Sequence, residues 1–99
     1  MANRYSPGHR DANESFITAI LKMYHVPYLQ LSEGQGADLL ILLAPMFFVE
    51  VKNPDQPPSK RKLTDTEQAQ KEICEGQGIG YYVVLHSDQM VDILRARLG

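Results

Sequence analysis

The chain has a single cysteine, Cys74, and no tryptophan. One cysteine makes no intrachain disulfide and supplies too few thiolates for a structural zinc site, so neither a disulfide scaffold nor a zinc module is open to this sequence. No apolar run approaches the ~18 residues of a membrane span, and the opening MANRYSPGHRD lacks the apolar core of a secretory signal. A cytoplasmic protein with no membrane partner is the expectation. An excess of positive charge is missing too: ten Lys and Arg stand against twelve Asp and Glu, a formal net charge of −2. That balance excludes broad adhesion to nucleic acid through net charge alone. Internal repeats and low-complexity tracts are absent. What remains is 99 residues, 43% of them apolar, which is enough for one domain with one modest core.

The stretch from Gly36 to Lys52, GADLLILLAPMFFVEVK, says most. Two apolar runs, Leu39 to Ala44 and Met46 to Val51, predict two strands joined by a tight turn of about two residues at Ala44-Pro45. Asp38 opens the first run, while Glu50 and Lys52 interrupt the second. At the strand period of two, Phe48, Glu50 and Lys52 share one face and Phe47, Val49 and Val51 the other. A hairpin carries Asp38 back beside Glu50 and Lys52, so two carboxylates and an ammonium converge at one end of an otherwise apolar sheet. Carboxylate oxygens are hard donors that suit Mg²⁺ or Mn²⁺ rather than zinc. A purely structural ion pair there leaves one carboxylate uncompensated and gains little from burial.

Residues 1–10 contain Pro7-Gly8 and the cations Arg4, His9 and Arg10, and read as a flexible arm. Asp11 or Asn13 caps a predicted helix reaching about Tyr24, with Phe16, Ile17, Ile20, Leu21 and Tyr24 at helical spacing. Glu14, in its first turn, either complements the helix dipole or faces the charged end of the hairpin. His25-Val26-Pro27 ends the helix, Tyr28 to Leu31 is a short alternating strand, and Ser32 to Gly36, including Glu33, is a turn. Its glycines serve either the turn itself or the close approach of a substrate backbone. After Lys52, the segment NPDQPPSKRK holds three prolines, which preclude regular structure and leave an exposed loop. The loop ends in Lys60, Arg61 and Lys62, either a solvated charge run or a set of phosphate contacts. Thr64 and Glu67 form a capping box, with Leu63 placed for a staple to Gln68 or Ala69. The helix they open runs through Ile73 and Cys74 and stops at Gly76 or Gly78. Cys74 reads as a core residue, since no local motif activates it. Gly80 to His86 is a fourth strand, and a closing helix from Ser87 or Asp88 to about Leu98 presents Met90, Val91, Ile93, Leu94 and Leu98 to the sheet, with Arg95 and Arg97 toward solvent. The fold class is α/β in the order α-β-β-β-α-β-α, and the strand–helix–strand unit from Met46 to His86 implies a parallel, right-handed crossover.

The spacing D-x11-E-x-K, with Asp38 following a Gly-Ala turn and the second half reading V-E-V-K, resembles the PD-(D/E)XK nuclease superfamily. The short chain and the L-T-x-x-E-Q segment are most similar to virus-type replication-repair (VRR-NUC) nucleases and Holliday-junction resolvases. The resemblance runs from near Gly34 to the end of the chain and, more weakly, includes the first helix. The family's usual proline before the aspartate is Ala37 here, a departure that touches no metal ligand. The resemblance implies a restriction-endonuclease-like core, a central mixed sheet flanked by helices, acting as a metal-dependent DNA endonuclease. In that scheme Asp38, Glu50 and the carbonyl of Val51 hold Mg²⁺ or Mn²⁺, with Glu14 adding an acidic group from the first helix. Lys52 orients the attacking water. Gln68 borders the site and positions Lys52 or a phosphate, its alternative being an exposed helix amide. Lys60, Arg61 and Lys62 touch DNA. The resolvases also imply a homodimer acting on branched DNA. The rival readings are a sequence-specific restriction-type endonuclease and a non-catalytic DNA-binding or assembly module on the same fold.

Overall fold

The computed structural model describes residues 13–32 and 34–99. Along these the chain forms α1 (Glu14–Met23), β1 (Tyr28–Gln30), β2 (Leu39–Ile41), β3 (Phe47–Val51), a 3-10 turn (Pro58–Lys60), α2 (Asp65–Gln77), β4 (Gly80–Val84) and α3 (Ser87–Leu98). This is the expected α-β-β-β-α-β-α order. The strands make one mixed sheet in the order β1-β2-β3-β4, antiparallel except for the parallel pair β3–β4. Arg4, His9, Arg10 and Asp11, with the rest of the predicted arm, and Glu33 lie outside the described residues. No described helix is long and apolar enough to cross a membrane.

Strand alternation sorts the sheet into two faces. Leu39 and Ile41 of β2, Phe47, Val49 and Val51 of β3, and Val84 of β4 are buried together with Ile17 and Leu21 of α1 and Met90 and Leu94 of α3. These two helices therefore cover one face and form the core with it. The residues of opposite parity, among them Phe48, Glu50 and Tyr81, turn to the other face, where α2 lies. Phe48 and Tyr81 pair there with ring centroids 6.5 Å apart.

Several boundaries differ from the sequence reading, each for a physical reason. The hairpin connection is Leu42–Met46, longer than a two-residue turn, because the β2–β3 ladder ends at Ile41 opposite Phe47 and the Leu42 N–H is drawn to the carbonyl of Pro27 at 2.9 Å. The proline-rich loop is not wholly irregular. Pro58 opens a 3-10 turn, whose first residue needs no N–H donor. Arg97 does not project into solvent: its guanidinium lies 4.3 Å from the centre of the Phe47 ring and donates to the carbonyl of Pro45 at 2.6 Å. Leu98, expected on the sheet, is 52% exposed at the helix end. The start and stop of α2 follow the sequence. Thr64 Oγ1 accepts from the Glu67 N–H, Glu67 Oε1 accepts from the Thr64 N–H, and Gly78 closes the helix in the left-handed region at φ 72°.

Candidate functional site

The hairpin register places the charged residues. Leu39 lies opposite Val49, so the next residue outward, Asp38, falls opposite Glu50. Asp38 extends the ladder by donating its N–H to the carbonyl of Val49 at 3.1 Å, and its Oδ2 accepts the N–H of Val51 at 2.8 Å. The turn before it is held from two sides. Gly36 has a φ of 81°, and a Cβ there would meet the Gln70 Cβ at 2.6 Å, so α2 crosses where only glycine fits. The Tyr81 hydroxyl donates to the Gly36 carbonyl from β4. The packing of α2 thus explains this glycine without a substrate.

Lys52 follows β3, and its N–H donates to the carbonyl of Val84 at 2.9 Å. Its ammonium lies 3.2 Å from Glu50 Oε2 and 2.8 Å from Glu67 Oε1. Asn13 occupies the cap position of α1 but makes no side-chain cap. Its amide donates to the carbonyls of Lys52 at 3.0 Å and Leu85 at 2.7 Å, tying together the ends of β3 and β4.

Glu50 is 4% exposed, and its Oε1 is buried with no hydrogen-bond partner among the described residues. Burial first, then the charge of Asp38 and the nearby Glu67, pushes its carboxyl up to about 9, against the pull of Lys52. Burial alone would lower Lys52 and raise Glu67. Instead their mutual hydrogen bond, with Glu50 beside Lys52 and the Thr64 N–H on Glu67, moves Lys52 up and Glu67 down. The arrangement therefore favours a Lys52–Glu67 ion pair and disfavours charge on Glu50. Burial and then the charges of Glu50, Glu67 and Asp38 also raise the Tyr81 phenol, which stays a neutral donor.

Asp38, Glu50 and Lys52 are thus brought together, as the strand periodicity predicts. Gln68 is not among them. It is exposed, and its amide donates to Glu72 at 3.0 Å. Glu67, one residue earlier, takes the place beside Lys52, because the third residue after the cap reaches back toward the helix start while the next one rotates away. The capping box is visible in the sequence, but nothing local points to its second partner. Glu14 is buried, and its Oε2 accepts from Gln30 at 2.9 Å, so the first turn of α1 meets the sheet at the edge-strand position paired with Leu39. Lys60 and Lys62 are exposed and Arg61 is half-buried, in a segment that runs directly into the Thr64 cap.

Among the described residues, no three His, Cys, Asp or Glu side chains are gathered as a metal cage. The acidic side chains that the register sets side by side are those of Asp38 and Glu50. This is a hard donor set suited to Mg²⁺ or Mn²⁺. The buried Oε1 of Glu50, with no hydrogen-bond partner among the described residues, and the Asp38 charge that raises its pKa are what a divalent cation held by Asp38 and Glu50 would relieve, so the residues fit such an ion.

A solved structure described as a VRR_NUC domain superposes on this chain with a TM-score of 0.61, covering 83% of this chain and 89% of its own length at 22% identity. The chain has the VRR_NUC fold. At this identity the likeness is one of architecture. It agrees with the fold that the resemblance in the sequence implies. No family model matches the chain, and no curated protein does. On this VRR_NUC fold, then, the site is defined by its own geometry: two facing carboxylates, a doubly held lysine and a basic loop leading into the helix that holds it.

Proposed function

We propose that the chain is a metal-dependent DNA endonuclease that selects branched substrates such as four-way junctions and works as a homodimer. The observation that carries the reading is the meeting of Asp38, Glu50 and Lys52 at one end of a VRR_NUC sheet, with a buried oxygen of Glu50 lacking any partner among the described residues. Asp38, Glu50 and the carbonyl of Val51 are assigned to a Mg²⁺ or Mn²⁺ ion, and Glu14 to the supporting acidic position. When bound, the ion supplies positive charge to the scissile phosphate and to the leaving oxygen. The chain supplies the rest. Lys52 orients the attacking water and stabilises charge developing on the phosphate oxygens. Lys60, Arg61 and Lys62 hold backbone phosphates.

A non-catalytic module accounts poorly for this cluster. Glu50, crowded by Asp38 and Glu67 with one lysine beside it, is costly to bury, and apolar residues of similar volume would serve a purely structural role at least as well. A four-way junction offers two symmetric phosphates, which calls for two active sites. Of the apolar residues of β4 and α3, Val84, Met90 and Leu94 are buried in the core, which leaves the half-buried Tyr81, Tyr82 and Val83 of the edge strand and the exposed Leu98 for a dimer contact.

The test is incubation of the protein with labelled linear, flap and four-way-junction DNAs in Mg²⁺, Mn²⁺ or Ca²⁺, alongside sedimentation. The expected result is junction cleavage in Mg²⁺ and Mn²⁺, none in Ca²⁺, and a species of twice the 11.2 kDa chain mass. Cleavage confined to one sequence in linear DNA favours the restriction-type reading. No cleavage under any condition favours the non-catalytic module.

A further inference from the structure

We propose that a second copy of the chain docks on the α2 side of the sheet, over Leu29, Leu40, Met46, Phe48, Ile73 and Ile79. This deepens the homodimer part of the nuclease reading by assigning it a surface, and rests on that part. The strands themselves call for a cover on this side. A strand with one wet face alternates apolar and polar residues, whereas a strand buried on both faces reads as an unbroken apolar run. Leu39 to Leu43 and Met46 to Val49 are unbroken. One parity fills the core beneath α1 and α3. The register sets the other parity in a row across the sheet: Leu29 pairs with Leu40, Leu40 with Phe48, and Phe48 with Tyr81.

Among the described residues α2 covers only part of that row, because it packs on β4. Leu29 is left 50% exposed, Met46 52% and Ile79 39%. Ile73 of α2, 61% exposed, lies one turn on from Gln70, which crosses Gly36. Between α2 and β2 is a hollow of about 310 Å³, bounded by Leu40, Met46, Phe48 and Ile79 together with Pro45 and Gly78. A second copy suits this surface for reasons of charge and size. None of its six side chains is charged, so it offers no cation to a DNA phosphate. A two-fold contact sets a patch against its own image, where any charge meets a like charge. An uncharged patch has no such conflict, and Leu29 and Ile73 project beside a hollow that the same side chains of the other copy can enter. A stable contact removes about 800 Å² per partner, apolar at its centre and polar at its rim. That is about one-eighth of the 6016 Å² surface of the chain. The six side chains form the centre, and the exposed Glu75 and Gln77 of α2 form the rim. Residues 1–12 contain only Met1, Ala2, Tyr5 and Ala12 as apolar groups, a poor cover for such a face. Phe48 is two residues from Glu50 along β3, about 7 Å, so a partner held here also fixes the spacing of the two sites.

The experiment is sedimentation over a concentration series for wild type, Met46→Asp and Ile73→Asp. The controls are Phe16→Asp and Met23→Asp, which alter exposed apolar residues of α1 on the opposite side of the molecule. Each variant is checked for folding by circular dichroism and for junction cleavage in Mg²⁺. A dilution series of wild type carrying ¹³C-methyl methionine is followed by NMR. Each patch variant is expected to raise the dimer Kd by about 30-fold or more, the effect of losing a central contact, while the controls leave it unchanged. The Met46 methyl signal moves on dilution and the Met23 signal does not. If Met46→Asp does not fold, Ile73→Asp and the dilution series decide. A dimer that survives both patch variants, or separates in the controls instead, overturns the proposal. So does a wild type that stays monomeric at every concentration, whether its Met46 signal is fixed, as a cover from its own chain would make it, or moves only on adding DNA. Cleavage by wild type with the dimer intact in both patch variants removes this surface alone. A wild type that cleaves no DNA, yet separates in the patch variants, removes the nuclease activity and leaves the surface standing.

Discussion

Lys52 and Glu50 have opposite relations to their surroundings, and each yields a prediction at the scale of a single side chain. Lys52 is stabilised as a cation by Glu67 and Glu50, and in the proposed mechanism it acts on the water and the phosphate rather than on the ion. Lys52→Ala should therefore lower kcat by about 10²- to 10³-fold, the range for losing one preorganised electrostatic group, while isothermal titration shows Mn²⁺ still bound. Collapse of metal affinity along with activity would make Lys52 structural. Glu50 is strained as an anion, which sets a pH dependence for the metal-free protein. Its folded pKa, about 9, exceeds its unfolded value of 4.5. Between those values the folded state keeps a proton that the unfolded chain has released, so stability falls as pH rises through that window. Glu67, shifted down, adds stability above its unfolded value that is lost only on acidification below it, and Lys52, shifted up, adds stability lost only in strong alkali. In EDTA the melting midpoint of wild type should decline from pH about 5 to about 9, and Glu50→Gln should flatten the decline. A midpoint that climbs across this range contradicts the crowding of carboxylates around Glu50. Asp38, Glu50 and Lys52 are readable from sequence because strand alternation and hairpin pairing are short-range rules. Glu67 is readable only as a cap, since its bond to Lys52 depends on how α2 lies across the sheet.

At the scale of elements, features set by neighbouring residues are legible in the sequence and features set by distant ones are not. The Thr64–Glu67 box and the Gly78 stop are local chemistry, and both ends of α2 follow from them. The length of the β2–β3 connection depends on the bond from Leu42 to Pro27, and the inward turn of Arg97 on the Phe47 ring; neither partner is near in sequence. Asn13 is the same lesson in reverse. A good local cap residue is recruited instead to the carbonyls of Lys52 and Leu85. The basic loop carries its own test. Replacing Lys60, Arg61 and Lys62 together with Ala should weaken binding of DNA in Ca²⁺. For every phosphate that the variant no longer neutralises, the slope of log K against log salt should also fall by about 0.9 on duplex DNA. Cleavage at saturating DNA should fall much less. An unchanged slope across a salt series would show the loop to be only a solvated charge run.

For the molecule as a whole, the mixed sheet and its helices are open to sequence reading because β2, β3, α1 and α3 have the apolar period their places require and α2 is marked by its caps. The same 99 residues also explain how a protein of net charge −2 is compatible with DNA. Glu50 and Glu67 meet at Lys52, with Asp38 beside Glu50, and in the proposed function a divalent ion offsets part of the acidic charge before the phosphate arrives. The account therefore stands or falls on whether the facing carboxylates are needed for chemistry and not for folding. Its most direct test is the rate of Mg²⁺-dependent junction cleavage by wild type, Asp38→Asn and Glu50→Gln, each shown by circular dichroism to be folded. Both substitutions keep side-chain size and remove the charge assigned to the ion. The prediction is cleavage by wild type and loss of nearly all cleavage in each variant. Cleavage at the wild-type rate by either folded variant would contradict the assignment of Asp38 and Glu50 to the metal.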